Sequence, residues 1–389
     1  MNIAILGRQP KLGIAELESQ YGSAVSWLSV ISALIEVDEP LDITKFGGSL
    51  KMGKVTHAFE HSDWKRIGKY ISNHYSQAWK NVDHKITLGI SVYGVSVSGK
   101  EIQRTGLAIK KNLKSSGVSI RLVPNKDVAL STATSHHNKL GLSPNKVELI
   151  VIRAGDGRTV LAESTGAQNI TAYAARDQER PKRDAFVGML PPKLAQIMLN
   201  MAVDQSKPTG RVLDPFCGTG VLLQEAALLG HDVYGSDLSE KMVDYSIANL
   251  EWLAATHHSK AKVDVMLADA TKDSWSPPID AVVCEAYLGQ PFSAPPASEK
   301  LHSVVTTCDK IITAFFNNLA PQIESGTPLC VAVPSWRDNN GDFTHLPLIK
   351  KLSSLGYEQI ELKTARSHDL LYYREDQIVA RELLILRKI

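Results

Sequence analysis

The chain has 389 residues, enough for two or three domains. Its 43% hydrophobic and 22% charged residues are those of a globular protein, and no apolar run reaches the ~18 residues a membrane span needs, which excludes disordered and membrane-spanning classes. The net charge of +2 is unevenly spread: residues 85–184 hold 16 basic and 8 acidic side chains, the remainder 27 and 33. A basic middle beside an acidic C-terminal half suits a nucleic-acid arm joined to an enzyme, or else a solvated basic surface.

Taken in chain order, Met1 to Arg8 reads as a strand and is too short in apolar length for a signal peptide. Leu12 to Tyr21 has helical periodicity, and Val25 to Val37, rich in β-branched residues, reads as strands. Residues 81–172 form a clearer unit than 1–80. Strands are expected at Ile86–Val97, Val118–Val123, Lys146–Ile152 and Thr159–Ala162. Between the first two lies a basic helix, Glu101–Leu113, with Lys110, Lys111 and Lys114 near its end as candidate RNA contacts. His136 and His137 lack Cys or acidic neighbours at metal spacing, so they read as loop or RNA-contact residues.

From about residue 173 the pattern changes. Arg176, Arg180, Lys182 and Arg183 crowd a short segment and could grip phosphates, or pair with Asp177, Glu179 and Asp184. Pro191-Pro192 then precedes an apolar helix start. The most informative stretch follows: Arg211-Val212-Leu213, then Asp214-Pro215-Phe216-Cys217-Gly218-Thr219-Gly220, then an apolar helix from Val221 to Leu229. Strand, glycine turn and helix in that order make a ligand cradle in an open α/β sheet. An acid at the strand tip disfavours a pyrophosphate, which would be repelled there. It suits S-adenosylmethionine, which carries a cationic sulfonium. Asp237, Asp269 and Glu285 end three further expected strands, His231–Ser236, Val263–Leu267 and Ile279–Cys284. Ligands in such sheets sit at the carboxyl ends of the strands. Asp237 is placed to accept from ribose hydroxyls and Asp269 from an adenine amine.

The fourth tip is where chemistry is expected, at Glu285-Ala286-Tyr287. An exocyclic base amine is a poor nucleophile because its lone pair is delocalised into the ring. The Glu285 carboxylate and the Ala286 carbonyl can hydrogen-bond that amine, and Tyr287 can stack on the base. Expected strands at Leu329–Val333, Tyr357–Leu362 and Ile378–Leu386 complete the sheet, with Trp336 either packed in the core or lining the pocket. The four cysteines, Cys217, Cys284, Cys308 and Cys330, form no Cys-x-x-Cys pair. They read as packing residues, with neither metal nor disulfide implied and a cytoplasmic location expected.

Asp214 to Gly220 resembles motif I of the class I methyltransferases that act on nucleic-acid amines. The junction Ala172–Asp184 leading into Gly188-Met189-Leu190-Pro191-Pro192 resembles that of the tRNA guanosine N2-methyltransferases of archaea and eukaryotes, the group acting at position ten. Ser91–Gly94 and Ser135–Leu140 look like parts of a THUMP domain, and Tyr373–Glu382 resembles the closing hairpin of that group. The resemblance covers nearly the whole chain. It implies an α/β fold: a Rossmann-like catalytic domain on a mostly parallel seven-stranded sheet (173–389), preceded by an α+β, THUMP-containing half (1–80 and 81–172). It also implies S-adenosylmethionine as donor, held by Asp214, Phe216, Gly218, Gly220, Asp237, Asp269 and Pro191. A tRNA guanosine would be the acceptor, and a small activating protein a possible partner. The family usually carries Asp or Asn, two prolines and an aromatic at the fourth tip. Glu285-Ala286-Tyr287 departs from that: the acid is one methylene longer, the prolines are gone, and the aromatic comes one place early. Two alternatives stay open, a DNA amino-methyltransferase acting on adenine N6 or cytosine N4, and a protein that binds donor and RNA without catalysis.

Overall fold

The structure is a computed structural model and describes residues 1–184, 190–207 and 210–389. The chain divides into two compact units. One holds residues 1–10, 23–45 and 49–172; the other holds 11–22, 46–48 and 173–389.

The first unit is built on one sheet. Its strands are β1 (Asn2–Leu6), β2 (Val25–Ser29), β3 (Ser32–Ile35), β4 (Ser49–Phe59), β5 (Ile86–Tyr93), β6 (Ile120–Leu122), β7 (Lys146–Arg153) and β8 (Thr159–Ala167), in the order β2-β3-β1-β4-β8-β7-β5-β6. β5 runs parallel to β6 and β7; the other pairings are antiparallel. The separation expected near residue 80 is therefore not a break in this sheet. β4 and β8 pair over most of their length and join the strands of 1–80 to those of 81–172. The sequence hides this because pairing between distant strands leaves no local mark. The helices α2 (Trp64–Ala78), α3 (Gly99–Lys114) and the short α4 (Thr132–His137) belong here. The basic helix α3 opens with a capping box, Ser98 and Glu101 satisfying each other's backbone N–H groups. It buries Ile102, Ile109 and Leu113 with Ile67 and Ile71 of α2, and turns Lys110, Lys111 and Lys114 to solvent.

The N-terminal helix α1 (Pro10–Tyr21) belongs mainly to the second unit. Glu16 is fully buried and accepts from the backbone N–H groups of Gly47 and Gly48, each at 2.8 Å, and from Asn200 Nδ2 at 2.7 Å. Burial pushes its carboxyl up to about 7, against the pull of those three donors. Glu18 accepts from the N–H groups of Lys363 and Thr364. Two carboxylates from one end of the chain thus pin loops distant in sequence.

The second sheet comprises β9 (Arg211–Asp214), β10 (Asp232–Asp237), β11 (Val263–Leu267), β12 (Ala281–Glu285), β13 (Pro328–Arg337), β14 (Phe343–Thr344), β15 (Tyr357–Gln359), β16 (Leu371–Tyr372) and β17 (Val379–Lys388). The main path is β11-β10-β9-β12-β13-β17-β15, with β14 and β16 at its margin. The first five strands are parallel; β17 is antiparallel to both neighbours. This is the Rossmann-like, seven-stranded path expected. Helices α5 (Ile170–Gln178), α6 (Pro192–Ala202), α7 (Val221–Leu228), α8 (Glu240–His257) and α9 (Ser298–Leu319) complete the set. Successive residues of the central strands face different cores: Val212 and Val283 pack with α6 and α7, Leu213 and Val282 with α9. Both faces are covered, so these strands read as continuous apolar runs rather than alternating ones. The strand order reverses between β9 and β12, and such a reversal opens a crevice at the carboxyl ends of the strands. Among the described residues no helix is long and apolar enough to cross a membrane.

Candidate active site

A cavity of about 560 Å³ lies at that crevice. The acids ending β9, β10 and β12 line it, as does Asp269 just beyond β11. Phe216, Gly218, Ala286 and Tyr287 line it as well. The turn after β9 depends on two glycines. Gly218 has φ of 51° and Gly220 of 76°, a region that side-chain-bearing residues rarely adopt. Gly220 is the N-cap of α7, and a Cβ there would meet Ser246 Oγ at 2.9 Å. It therefore shapes the turn and does not line the cavity.

Each acid is held differently. Asp214 is 3% exposed and accepts from the Phe216 N–H at 3.1 Å. Burial raises its carboxyl well above the usual range, and the charges of Asp237 and Glu285 push the same way. Asp237 accepts from the N–H groups of Gly218 at 2.9 Å and Ser239 at 3.0 Å, one on each oxygen. Each oxygen keeps a lone pair for a ligand hydroxyl. Asp269 is held low by the Thr271 hydroxyl and N–H, both on Oδ1. Glu285 accepts from Arg381 Nε.

The loop after β12 lacks stiffening prolines, and two other contacts hold it. The Ala286 N–H donates to the Ala332 carbonyl on β13 at 2.9 Å. Gly289 adopts φ of 75°, and a Cβ there would press on Cys308 Sγ at 3.0 Å, so the loop turns tightly against α9. Tyr287 stays 46% exposed, an aromatic face left open at the cavity.

Other expected site residues stand elsewhere. Pro191 caps α6, and its neighbour Leu190 lines the cavity instead. Gly188 and Met189 of the junction lie outside the described residues. The cationic junction needs correction. Arg176 donates from Nε and Nη2 to Glu225, with both side chains largely buried, so its fork is already used. Arg180 is 3% exposed, with its nearest acid oxygen, on Asp177, at 3.9 Å. Neither presents a free guanidinium to solvent; Arg183 is exposed. Arg176 is held inward by Glu225 and lies over the Tyr173 ring, partners that a charged segment does not announce. Trp336 is 1% exposed within the core and is not among the residues lining this cavity. Burial raises the Cys217 and Cys284 thiols well above their usual range, which keeps them protonated and unreactive.

Sequence reasoning missed Leu238 and Arg381. Leu238 lines the cavity yet is 72% exposed, a large apolar residue directly after the ribose-binding candidate Asp237. A large apolar residue directly after that strand-tip acid was the signal the sequence offered for a surface that could meet a flat ring. Arg381 left no local signal.

The donor set fits S-adenosylmethionine. A cationic sulfonium and ammonium would meet Asp214 and its neighbouring acids, ribose hydroxyls would meet Asp237, and adenine would meet Asp269 and Leu238.

Comparison with known proteins agrees with this geometry. Residues 180–313, within the second unit, match the model of the RMKL-like methyltransferase domain. The chain is 32% identical over 164 residues to the tRNA (guanine(10)-N2)-dimethyltransferase of Methanothermobacter thermautotrophicus, covering 42% of this chain and 44% of that protein. It is 37% identical over 105 residues to the enzyme of the same name from Pyrococcus abyssi, covering 27% and 26%. The chain thus spans less than half the length of these relatives. The fold matches the crystal structure of TrmN from Thermus thermophilus with a TM-score of 0.54 at 16% identity, over 100% of this chain and 99% of that one. A possible methylase from Clostridium difficile matches with a TM-score of 0.52 at 13% identity, covering 98% and 97%.

Proposed function

We propose that this protein is an S-adenosylmethionine-dependent RNA methyltransferase that methylates the exocyclic N2 amine of a guanosine in tRNA. The observation that carries the reading is the single cavity lined by Asp214, Asp237, Asp269 and Glu285, with an acceptor loop, Ala286-Tyr287, at its rim. The tRNA (guanine(10)-N2)-dimethyltransferases similar to this chain support the substrate.

In this reading Asp214, Asp237 and Asp269 hold the donor, which when bound supplies an electrophilic methyl group. Glu285 accepts a hydrogen bond from the guanine amine, and the Ala286 carbonyl accepts a second. The two acceptors fix the amine's orientation, and the carboxylate is placed to take the proton the product loses. Tyr287 stacks on the base, which leaves its helix to reach the cavity. Gly218, Gly220 and Leu190 shape the donor end, with Pro191 setting the start of α6. The first unit is the RNA-binding half, a THUMP-like domain. Lys110, Lys111 and Lys114 are its phosphate contacts, joined by Arg183 at the junction. Arg176 holds the junction from inside through Glu225.

The test is methyl transfer from labelled S-adenosylmethionine to unmodified tRNA transcripts, read by nucleoside mass spectrometry. The expected product is N2-methylguanosine. Methylated adenine or cytosine would move the reading to the other amino-methyltransferases. Donor binding with no product on any RNA or DNA would leave a binding protein.

A further inference from the structure

Glu285 does not stand alone at the end of β12. Arg381 on β17 donates from Nε to Glu285 Oε1, although β13 lies between the two strands. On β13, Glu285 is opposite Ala332 and Arg381 is opposite Pro334. These positions are two apart and so lie on one face of the sheet. Neither Ala332 nor Pro334 carries a long side chain, and the arginine stem crosses that gap.

What the pair leaves over is informative. Arg381 is 7% exposed, and its Nη1 and Nη2 make no hydrogen bond among the described residues. Glu285 uses only Oε1 on the arginine, leaving Oε2 without a hydrogen bond among the described residues, in a side chain that lines the cavity. Among the described residues, Arg381 is the one cation that forms an ion pair with the group Asp214, Asp237 and Glu285. A glutamate has one more side-chain torsion than an aspartate, and this loop has no proline to brace it. An unrestrained Glu285 would wander by more than the ~1 Å that costs a site about 100-fold in rate.

We propose that Arg381 is a positioning residue for Glu285: it clamps one carboxylate oxygen so that the other is presented to the acceptor amine. This rests on Glu285 as the amine-orienting group, and it accounts for a longer acid at this tip. A planar, always-charged guanidinium suits the task, because its rigid fork fixes direction as well as charge.

The test is a double-mutant cycle in the full-length protein, run on whichever nucleoside the wild-type protein methylates. Arg381→Met is expected to lower kcat by about 10- to 100-fold, with donor affinity by calorimetry and the KM for tRNA changed by less than about threefold. Arg381→Lys should recover part of the loss. The decisive variant is Glu285→Ala/Arg381→Met. If Arg381 acts through Glu285, the double variant is no slower than Glu285→Ala alone. Multiplicative losses, or an Arg381→Met enzyme with normal kcat, overturn the proposal. A further check guards against a purely structural effect: added methylguanidinium should restore Arg381→Gly, while a simple salt at equal ionic strength should not. Restoration by both, or by neither in a variant that still binds donor, counts against it. A wild-type protein that methylates nothing sinks the functional reading and this inference together. A wild-type enzyme making another methylated base sinks only the choice of guanine.

Discussion

Each unit buries an ion pair, and the two pairs differ in what they leave unused. In the first unit Lys51 is 2% exposed at its side chain and pairs with the fully buried Glu148. Lys51 Nζ also donates to Ser91 Oγ at 3.3 Å and to the Leu130 carbonyl at 2.8 Å, so all three ammonium donors are spent. The Ser91 hydroxyl accepts from the Leu130 N–H and donates to Glu148 Oε1, the oxygen Lys51 also uses; Glu148 Oε2 is buried with no hydrogen-bond partner among the described residues. Burial pushes the lysine down, and the glutamate pushes it back up. In the second unit Glu285 and Arg381 are a largely buried pair, but among the described residues one carboxylate oxygen and two guanidinium nitrogens make no hydrogen bond, and Glu285 lines the cavity. Burying charge is expensive in both places. A pair sealed in the core, with its cation's donors all spent, serves the fold. A pair with capacity left facing a cavity is placed to meet a ligand. Residue type does not separate these roles; whether the leftover valence faces a cavity does.

The comparison breaks most easily at the first pair. Lys51→Met leaves Glu148 buried without its cation and should cost about 3–5 kcal/mol of stability, while Lys51→Met/Glu148→Leu should recover most of it. Urea unfolding of both measures this, and a single variant of nearly wild-type stability would show that the pair does not hold the fold. At the second pair the effect should fall on rate. Glu285→Ala is expected to lose about 100-fold or more in turnover while donor affinity stays within about threefold. Equal losses in both would make Glu285 a donor-binding residue.

A third buried acid sharpens the contrast, since Glu16 forms no ion pair among the described residues. Its carboxyl is pushed up to about 7, so the folded protein holds a proton that the unfolded chain releases above its ordinary value of 4.5. Stability should therefore fall as pH rises from about 4.5 to about 7 and then level off, by on the order of 3 kcal/mol. Glu16→Gln should flatten that slope in urea unfolding across the same range; an unchanged slope would place the titration elsewhere. The smallest effect is expected on the first unit's surface. Replacing Lys110, Lys111 and Lys114 with Ala should weaken RNA binding at low salt and lower the log–log salt slope by about 2. An unchanged slope would remove these lysines from the RNA contact.

Sequence reading went far in the second unit for a definite reason. A strand, a Gly-x-Gly turn and a helix are adjacent in the chain, and so is each acid with its own strand. Asp214, Asp237, Asp269 and Glu285 were legible because each ends a local element, and the topology of an open sheet sends all such ends to one side. In the first unit the strands around the basic helix were legible from apolar pattern. The helix α2, whose apolar face is as clear as that of α3, was within reach of the same reading.

What the tertiary structure alone decided is everything that depends on partners far along the chain. It joined β4 to β8 in one sheet, carried α1 into the second unit on the buried Glu16 and Glu18, turned Arg176 onto Glu225, and brought Arg381 across β13 to Glu285. Local sequence determines which residues can form a helix, a turn or a strand tip. Whether a charge ends in solvent, in a closed pair or beside a cavity depends on which distant groups meet it. That choice is made by burying apolar surface over the whole chain, which drags polar side chains to whatever partners the packing supplies.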